Sequence, residues 1–182
     1  MLLEAVQINY LPDRVPPKEF ATLLRTFPII HRFLVAKNPD ISSFLERIIE
    51  ENETIEDQDL MEEHCQEALW EIADLIVYNK YPEQFDSSAP IKWDLDELNK
   101  ITSFEGKVIA DVGAGTGRIA VLVADLAKTV FAVEPLSSLR IFLKEKVAKK
   151  GIHTLFVMDG TLDSIPLPAQ SLDILITSNA IG

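Results

Sequence analysis

The spacing of apolar residues changes along the chain. In the first hundred residues apolar positions recur at intervals of three and four, which predicts helices that bury one face. The predicted helices cover residues 18–36, which Pro28 can kink or split, a short segment ending near Ile49, residues 57–79 and residues 95–101. Prolines between positions 12 and 17 close an irregular leader, Asp40 or Ser42 can cap the short helix, and Asp94 caps the last one.

From residue 107 onward short apolar runs alternate with longer helical stretches. The predicted strands are 107–112, 129–133, 154–158 and 172–178, and the predicted helices between them are 118–127 and 137–149. Strands that alternate with helices imply right-handed crossovers and a parallel sheet, so the fold class is α/β. We expect an acidic helical region over residues 1–90, acting as a lid or accessory element, and a sheet domain over residues 91–182.

Charge narrows the range of partners. The chain has 182 residues, 47% of them hydrophobic, which is enough to bury a sizeable core. Its net charge of −12 lies in the first hundred residues, and residues 50–74 contain eleven acids and no Lys or Arg. Such a surface repels phosphate backbones, so a nucleic-acid substrate is disfavoured. As an alternative, the acidic run is an ordinary solvated helix face with its preceding loop.

Cysteine content and hydropathy point to the cytoplasm. The longest apolar stretches are far shorter than a membrane span, and the N-terminus lacks the basic flank of a signal peptide. The single cysteine, Cys65, permits no internal disulfide and no cysteine-based metal site. We therefore expect a cytoplasmic protein with no membrane association and no metal.

An acid and three alternating glycines stand where the first strand gives way to a helix, in the run DVGAGTG from Asp111 to Gly117. Glycine suits a turn that bends sharply and lets a ligand approach the backbone. A phosphate-binding P-loop is excluded because Gly-Lys-Ser/Thr does not follow at the required spacing. A dinucleotide fingerprint is weakened because Arg118 stands where its third glycine belongs.

This run resembles the first motif of the class I S-adenosylmethionine-dependent methyltransferases, and the domain looks like the type 11 and type 25 methyltransferase domains. The resemblance implies a Rossmann-like sheet with strand order 3-2-1-4 and S-adenosylmethionine as the cofactor. It assigns the amino-acid part of the cofactor to Asp111 and to the turn, whose residues are Gly113, Ala114, Gly115 and Gly117.

Acids also follow the second and third strands, at the edge where open α/β sheets bind ligands. Glu134, followed by Pro135, lies 21 residues after Gly113, which suits a carboxylate that accepts both ribose hydroxyls. For Asp159 the resemblance implies a contact with the adenine amino group, with Gly160 allowing close approach. The alternatives are a solvated strand end for Glu134, a turn residue for Asp159 and a local cap for Asp111.

No catalytic residue is evident. Methyl transfer depends largely on positioning, so the enzyme need not supply a nucleophile. Residues 177–182, which include Asn179 as a further candidate cofactor contact, lack the Asn/Asp-Pro-Pro-aromatic signature of exocyclic-amine methylation. We therefore expect methyl transfer to a small molecule. The alternatives are a non-catalytic interaction module with a cofactor-like fold and a nicotinamide-dinucleotide-binding enzyme.

The resemblance covers about half of the chain. The family's sheet has seven strands in the order 3-2-1-4-5-7-6, whereas this sequence reaches only the fourth. We expect a truncated domain that turns over little by itself. The fourth strand would be an apolar edge, and a homodimer through that edge or through the helical region is the alternative way of covering it.

Overall fold

The computed structural model describes residues 3–88 and 93–178. The chain forms two compact units, Met1–Lys80 and Tyr81–Gly182. The division of the chain into domains at residues 90 and 91 stays a prediction.

The first unit is helical, as its hydrophobic spacing predicts. Its helices are α1 (Ala5–Ile8), α2 (Leu11–Arg14), α3 (Pro17–Thr26), α4 (Pro28–Lys37), a 3-10 turn (Pro39–Ile41), α5 (Ser42–Glu51), α6 (Gln58–Trp70) and α7 (Ala73–Lys80). Two one-turn helices therefore occupy the leader that the prolines predicted to be irregular. The core of this unit includes the fully buried side chains of Phe20, Leu23 and Leu45.

Pro28 splits the first predicted helix in two. Proline lacks an N–H and tolerates the first helical position, so α4 begins at Pro28 and Phe27 lies between the two helices. The predicted caps of α5 were wrong. Asn38 accepts the N–H of Asp40 at 3.2 Å and caps the 3-10 turn, and Ser42 already lies inside α5.

The single helix predicted over residues 57–79 was also wrong. Its hydrogen-bond ladder is interrupted at Glu71, whose carbonyl accepts the guanidinium of Arg14 at 2.5 Å. The N–H of Leu75, which a continuous helix would direct to that carbonyl, donates instead to Asp74 Oδ1 at 2.8 Å. The carbonyl at the break is therefore bound by a side chain 57 residues away in sequence.

The second unit contains the predicted parallel sheet. Its elements are α8 (Pro82–Ser88), α9 (Leu95–Ile101), β1 (Val108–Val112), α10 (Arg118–Val123), β2 (Thr129–Val133), α11 (Ser137–Lys150), β3 (Leu155–Met158) and β4 (Ile174–Thr177). The strand order is β3-β2-β1-β4 and every pairing is parallel, which confirms the predicted α/β fold and strand order. Asp94 caps α9 as predicted, accepting the N–H of Glu97 at 2.7 Å.

The sheet is buried at its centre and partly exposed at both of its edge strands, β3 and β4. Ile109 of β1 and Val130 of β2 have no exposed surface, whereas Leu175 of the edge strand β4 is 46% exposed. Over residues 3–88 and 93–178, no helix combines the length and the apolarity needed to span a bilayer.

Candidate cofactor site

Strand register brings the predicted site residues to one edge. Val112 pairs with Val133 on one side and Thr177 on the other, and Val133 pairs with Met158. The residues that follow the first three strands therefore emerge together at the carboxyl edge of the sheet. The backbone links them, because Gly113 N–H donates to the Val133 carbonyl at 2.9 Å.

The three glycines of the turn all adopt left-handed backbone angles, with φ of 74°, 57° and 75° at Gly113, Gly115 and Gly117. Gly117 N–H donates to the Ala114 carbonyl at 2.8 Å and closes the turn. A Cβ on Gly117 would lie 2.2 Å from Leu143 Cδ1, so any side chain there would displace Leu143 of α11. A Cβ on Gly115 would meet no atom within 4 Å, so the backbone there borders open space.

Glu134 holds this turn directly. Its Oε2 accepts the N–H of Gly115 at 2.8 Å and its Oε1 accepts the N–H of Leu136 at 2.8 Å. The residue is only 4% exposed. The acid that spacing assigned to a ribose is therefore already bound to the backbone of the glycine turn.

Asp111 lies one residue before the end of β1 and is buried. Its Oδ2 accepts the N–H of Ala120 in the first turn of α10 at 3.0 Å, which is the local cap left open as an alternative. Burial raises the pKa of Asp111 to about 7; the bond from Ala120 opposes this rise, and the charge of Glu134 adds to it. The carboxyl group thus titrates near neutral pH, which makes it a pH-sensitive member of the site.

Asp159 follows β3 and its side chain is 72% exposed. Arg140, which the sequence analysis did not single out, donates to Asp159 Oδ1 at 3.0 Å. The same guanidinium nitrogen donates to the carbonyls of Glu134 at 2.8 Å and Pro135 at 2.7 Å. A signal was present in the sequence, because a cation in the first turn of a helix opposes the helix dipole and needs acceptors.

The remaining predicted positions are less informative. The space beside Gly160 is filled from within the domain, since a Cβ there would lie 2.7 Å from Pro166 Cδ and 2.8 Å from Val133 Cγ1. Internal packing is therefore sufficient reason for this glycine. Asn179 lies outside the described residues.

Two threonine hydroxyls lack partners at this edge. Thr116 Oγ1, in the glycine turn, and Thr177 Oγ1, at the end of β4, are buried without a hydrogen bond to any part of the chain that the structure describes. A buried polar atom without a partner is costly and is commonly satisfied by a ligand or water. Sequence reasoning missed both as site residues, because burial of a hydroxyl is a tertiary property.

Helix α8 is anchored to the base of the glycine turn. Lys146 of α11 contacts both carboxylate oxygens of Asp86 at 2.8 Å and donates to the Thr116 carbonyl at 3.2 Å. The guanidinium carbon of Arg118 lies 5.3 Å from the centroid of the Phe85 ring, within cation–π range. The segment before the sheet is therefore tied to the turn by two charged contacts.

Comparison with known proteins finds methyltransferases that are similar to the sheet region. A family model described as a methyltransferase domain matches residues 110–182. An uncharacterized methyltransferase of Geobacillus sp. (strain WCH70) is 31% identical over 85 residues, which cover 47% of this chain and 38% of that protein. Protein arginine N-methyltransferase 1 of Dictyostelium discoideum is 35% identical over 81 residues, covering 44% of this chain and 24% of that protein.

The crystal structure of an S-adenosylmethionine-dependent methyltransferase from Aquifex aeolicus is also similar. The match is 22% identical and has a TM-score of 0.42. It covers 56% of this chain and 49% of the Aquifex chain. The chain spans 38% and 24% of the lengths of the two relatives described above, less than half in each case.

Proposed function

We propose that residues 110–182, which match a family model described as a methyltransferase domain, form a class I S-adenosylmethionine-dependent methyltransferase domain. On that premise the whole protein transfers a methyl group from S-adenosylmethionine to a small-molecule acceptor. The observation behind this proposal is the glycine turn at the carboxyl edge of β1, with Glu134 Oε2 2.8 Å from the N–H of Gly115.

The residues at this edge fit the cofactor. The open space beside Gly115 admits a ligand against the backbone, and the buried Thr116 hydroxyl lacks a partner among the described residues. We assign the amino-acid part of the cofactor to the glycine turn and the ribose hydroxyls to Glu134. The adenine amino group is assigned to Asp159, whose side chain is exposed.

Glu134 presents a requirement of its own. A carboxylate has about four acceptor positions, and its two oxygens already accept backbone N–H groups. Ribose hydroxyls must share those oxygens with Gly115 and Leu136 or displace these donors. Cofactor binding is therefore expected to change the hydrogen bonding at these two oxygens, which the amide chemical shifts of Gly115 and Leu136 would report.

When bound, S-adenosylmethionine supplies a methyl group on a positively charged sulfur, which is a good leaving group. The protein's contribution under this proposal is to hold that methyl in line with the acceptor. The pKa of Asp111, about 7, suits proton transfer near neutral pH. Because it is buried and bound to Ala120, we assign it to holding the turn and not to acceptor activation.

A basic peptide is the second candidate acceptor. One relative is named a protein arginine N-methyltransferase, and residues 50–74 of this chain contain eleven acids and no Lys or Arg. Such a run attracts cationic substrates and repels polyanions. This candidate predicts methylation that weakens steeply with added salt, whereas transfer to an uncharged small molecule would not.

The deciding experiment is calorimetric titration of the full protein encoded by the gene with S-adenosylhomocysteine and, separately, NAD. We expect S-adenosylhomocysteine to bind and NAD to bind at least about 100-fold more weakly, a difference of roughly 2.7 kcal/mol. Preference for NAD, or no binding of either ligand, would overturn the proposal. Transfer of a labelled methyl group to a small-molecule fraction and to a basic peptide then separates the two acceptors. Binding without any turnover would favour an interaction module.

A further inference from the structure

We propose that Arg140 is a positioning residue for adenine recognition, acting through Asp159. This inference rests on the proposed function, because it concerns how the cofactor site would choose its base. Arg140 lies in the first turn of α11 and contacts the residues that follow two neighbouring strands.

The geometry ties both acid-bearing loops to one side chain. Nη1 of Arg140 donates to the carbonyls of Glu134 and Pro135, at 2.8 and 2.7 Å, and to Asp159 Oδ1 at 3.0 Å. The first two contacts immobilise the backbone after β2, and the third spans to the residue after β3. Nη1 has only two hydrogens, so two of the three acceptors share one hydrogen. The three contacts together hold the guanidinium in one orientation.

Exposure explains why this contact matters. The side chain of Asp159 is 72% exposed, whereas that of Arg140 is 17% exposed. An exposed aspartate without a partner samples several rotamers, and fixing it costs conformational entropy on ligand binding. Arg140 fixes Asp159 beforehand, since the guanidinium is itself held by two backbone carbonyls.

The arrangement also predicts which base the site prefers, adenine over hypoxanthine. With Oδ1 of Asp159 engaged by Arg140, Oδ2 is the oxygen assigned to accept the exocyclic amino group of adenine. Hypoxanthine presents a carbonyl oxygen at that position, which a fixed carboxylate repels. Without Arg140 the carboxylate turns into solvent and the site loses both the attraction and the repulsion.

The test is the ratio of dissociation constants for S-inosylhomocysteine and S-adenosylhomocysteine, measured by calorimetry on the full protein and its variants. We expect Arg140→Met to weaken S-adenosylhomocysteine about tenfold, the loss of one well-placed hydrogen bond. The ratio should fall to that of Asp159→Ala, and Arg140→Lys should restore part of it. Lys149→Met is the matched control, because it removes a 78% exposed cation from the last turn of the same helix.

A purely structural role for Arg140 makes a different prediction. It would lower affinity for both nucleosides equally and leave their ratio unchanged, which would overturn the inference. The double variant Arg140→Met with Asp159→Ala should show the ratio of Asp159→Ala alone; a further drop would also overturn it. If the unaltered protein binds neither ligand, the proposed function itself fails. If the unaltered protein binds but the ratio does not respond to Arg140→Met, only this inference fails.

Discussion

The carboxylate of Glu134 accepts the backbone N–H of Gly115 at 2.8 Å, so the acid that follows the second strand supports the turn that follows the first. This contact joins two segments 19 residues apart and places a negative charge beside a left-handed glycine. The recognition elements of the candidate site are therefore mutually dependent, and a change in either one should affect the other.

Glu134→Gln should weaken S-adenosylhomocysteine binding about 10- to 100-fold, because hydrogen bonds to a charged acceptor contribute roughly 1.5–3 kcal/mol. Glu134→Ala should in addition lower the free energy of unfolding by at least about 1 kcal/mol, since the N–H groups of Gly115 and Leu136 lose their acceptor. Calorimetry and urea denaturation measure the two effects. Glu145→Gln, at an exposed position of α11, is the control and should change neither. Unchanged affinity in Glu134→Gln would remove Glu134 from the site.

Two glycines of the turn should differ in their cost of substitution. The Cβ of Gly115→Ala would enter open space. The variant should therefore lose only roughly 1–2 kcal/mol of free energy of unfolding, the cost of a left-handed backbone for a residue with a Cβ. Gly117→Ala carries that penalty and also places a Cβ 2.2 Å from Leu143 Cδ1, whose side chain is fully buried. Overpacking adds about 1–3 kcal/mol. Urea denaturation of each variant measures the difference.

A double variant tests the cause of the Gly117 effect. Combining Gly117→Ala with Leu143→Ala removes the atoms that collide, so the pair should be less destabilised than the sum of the single variants by about 1 kcal/mol or more. Strict additivity would show that the contact with Leu143 is not responsible for the cost at Gly117.

Asp111 predicts a pH dependence of stability. Its pKa is about 7 in the folded protein, against 3.8 in an ordinary chain, so folding takes up a proton between those values. The stability contributed by this group is fully present below about pH 4, declines as the pH rises to about 7, and is constant above that. Asp111→Asn keeps an oxygen for the Ala120 N–H but cannot titrate. Relative to the wild type, this variant should become progressively more stable between about pH 4 and pH 7.

The measurement is the difference in free energy of unfolding between the two proteins at about pH 5 and about pH 8. Taking the difference between the two free energies of unfolding cancels the contribution of the other carboxylates, which titrate alike in both proteins. A difference that does not change with pH would mean that Asp111 is ionised throughout.

Asp173 marks the opposite edge of the sheet. Its Oδ2 accepts the N–H of Val108 at 2.8 Å, and its own N–H donates to the Val108 carbonyl at 2.8 Å. Asp173→Ala should therefore cost about 1 kcal/mol of stability, the usual worth of one hydrogen bond. Affinity for S-adenosylhomocysteine should not change, because parallel strands place this residue away from the carboxyl edge. A selective loss of binding would contradict this separation of roles.

The local pattern of apolar residues was sufficient to predict the strands of the sheet. The four predicted strands agree with the observed ones to within two residues, since alternating apolar strands and helices leave few topologies once crossovers are right-handed. The positions of Glu134 and Asp159 after their strands followed from the same pattern, because parallel strands end at one edge. Asp173 lies directly before β4, at the edge of the sheet away from these acids.

By itself, the sequence determined the α/β class, the glycine turn and which acids share an edge, because these depend on residues close together in the chain. Only the tertiary structure decided which group each acid binds: Glu134 to Gly115, Asp111 to Ala120, and Asp159 to Arg140. The contact of Arg14 with the Glu71 carbonyl, at the helix break, is of the same kind. Hydrophobic period reports which face is buried, whereas the partner of a buried polar group depends on packing between distant segments.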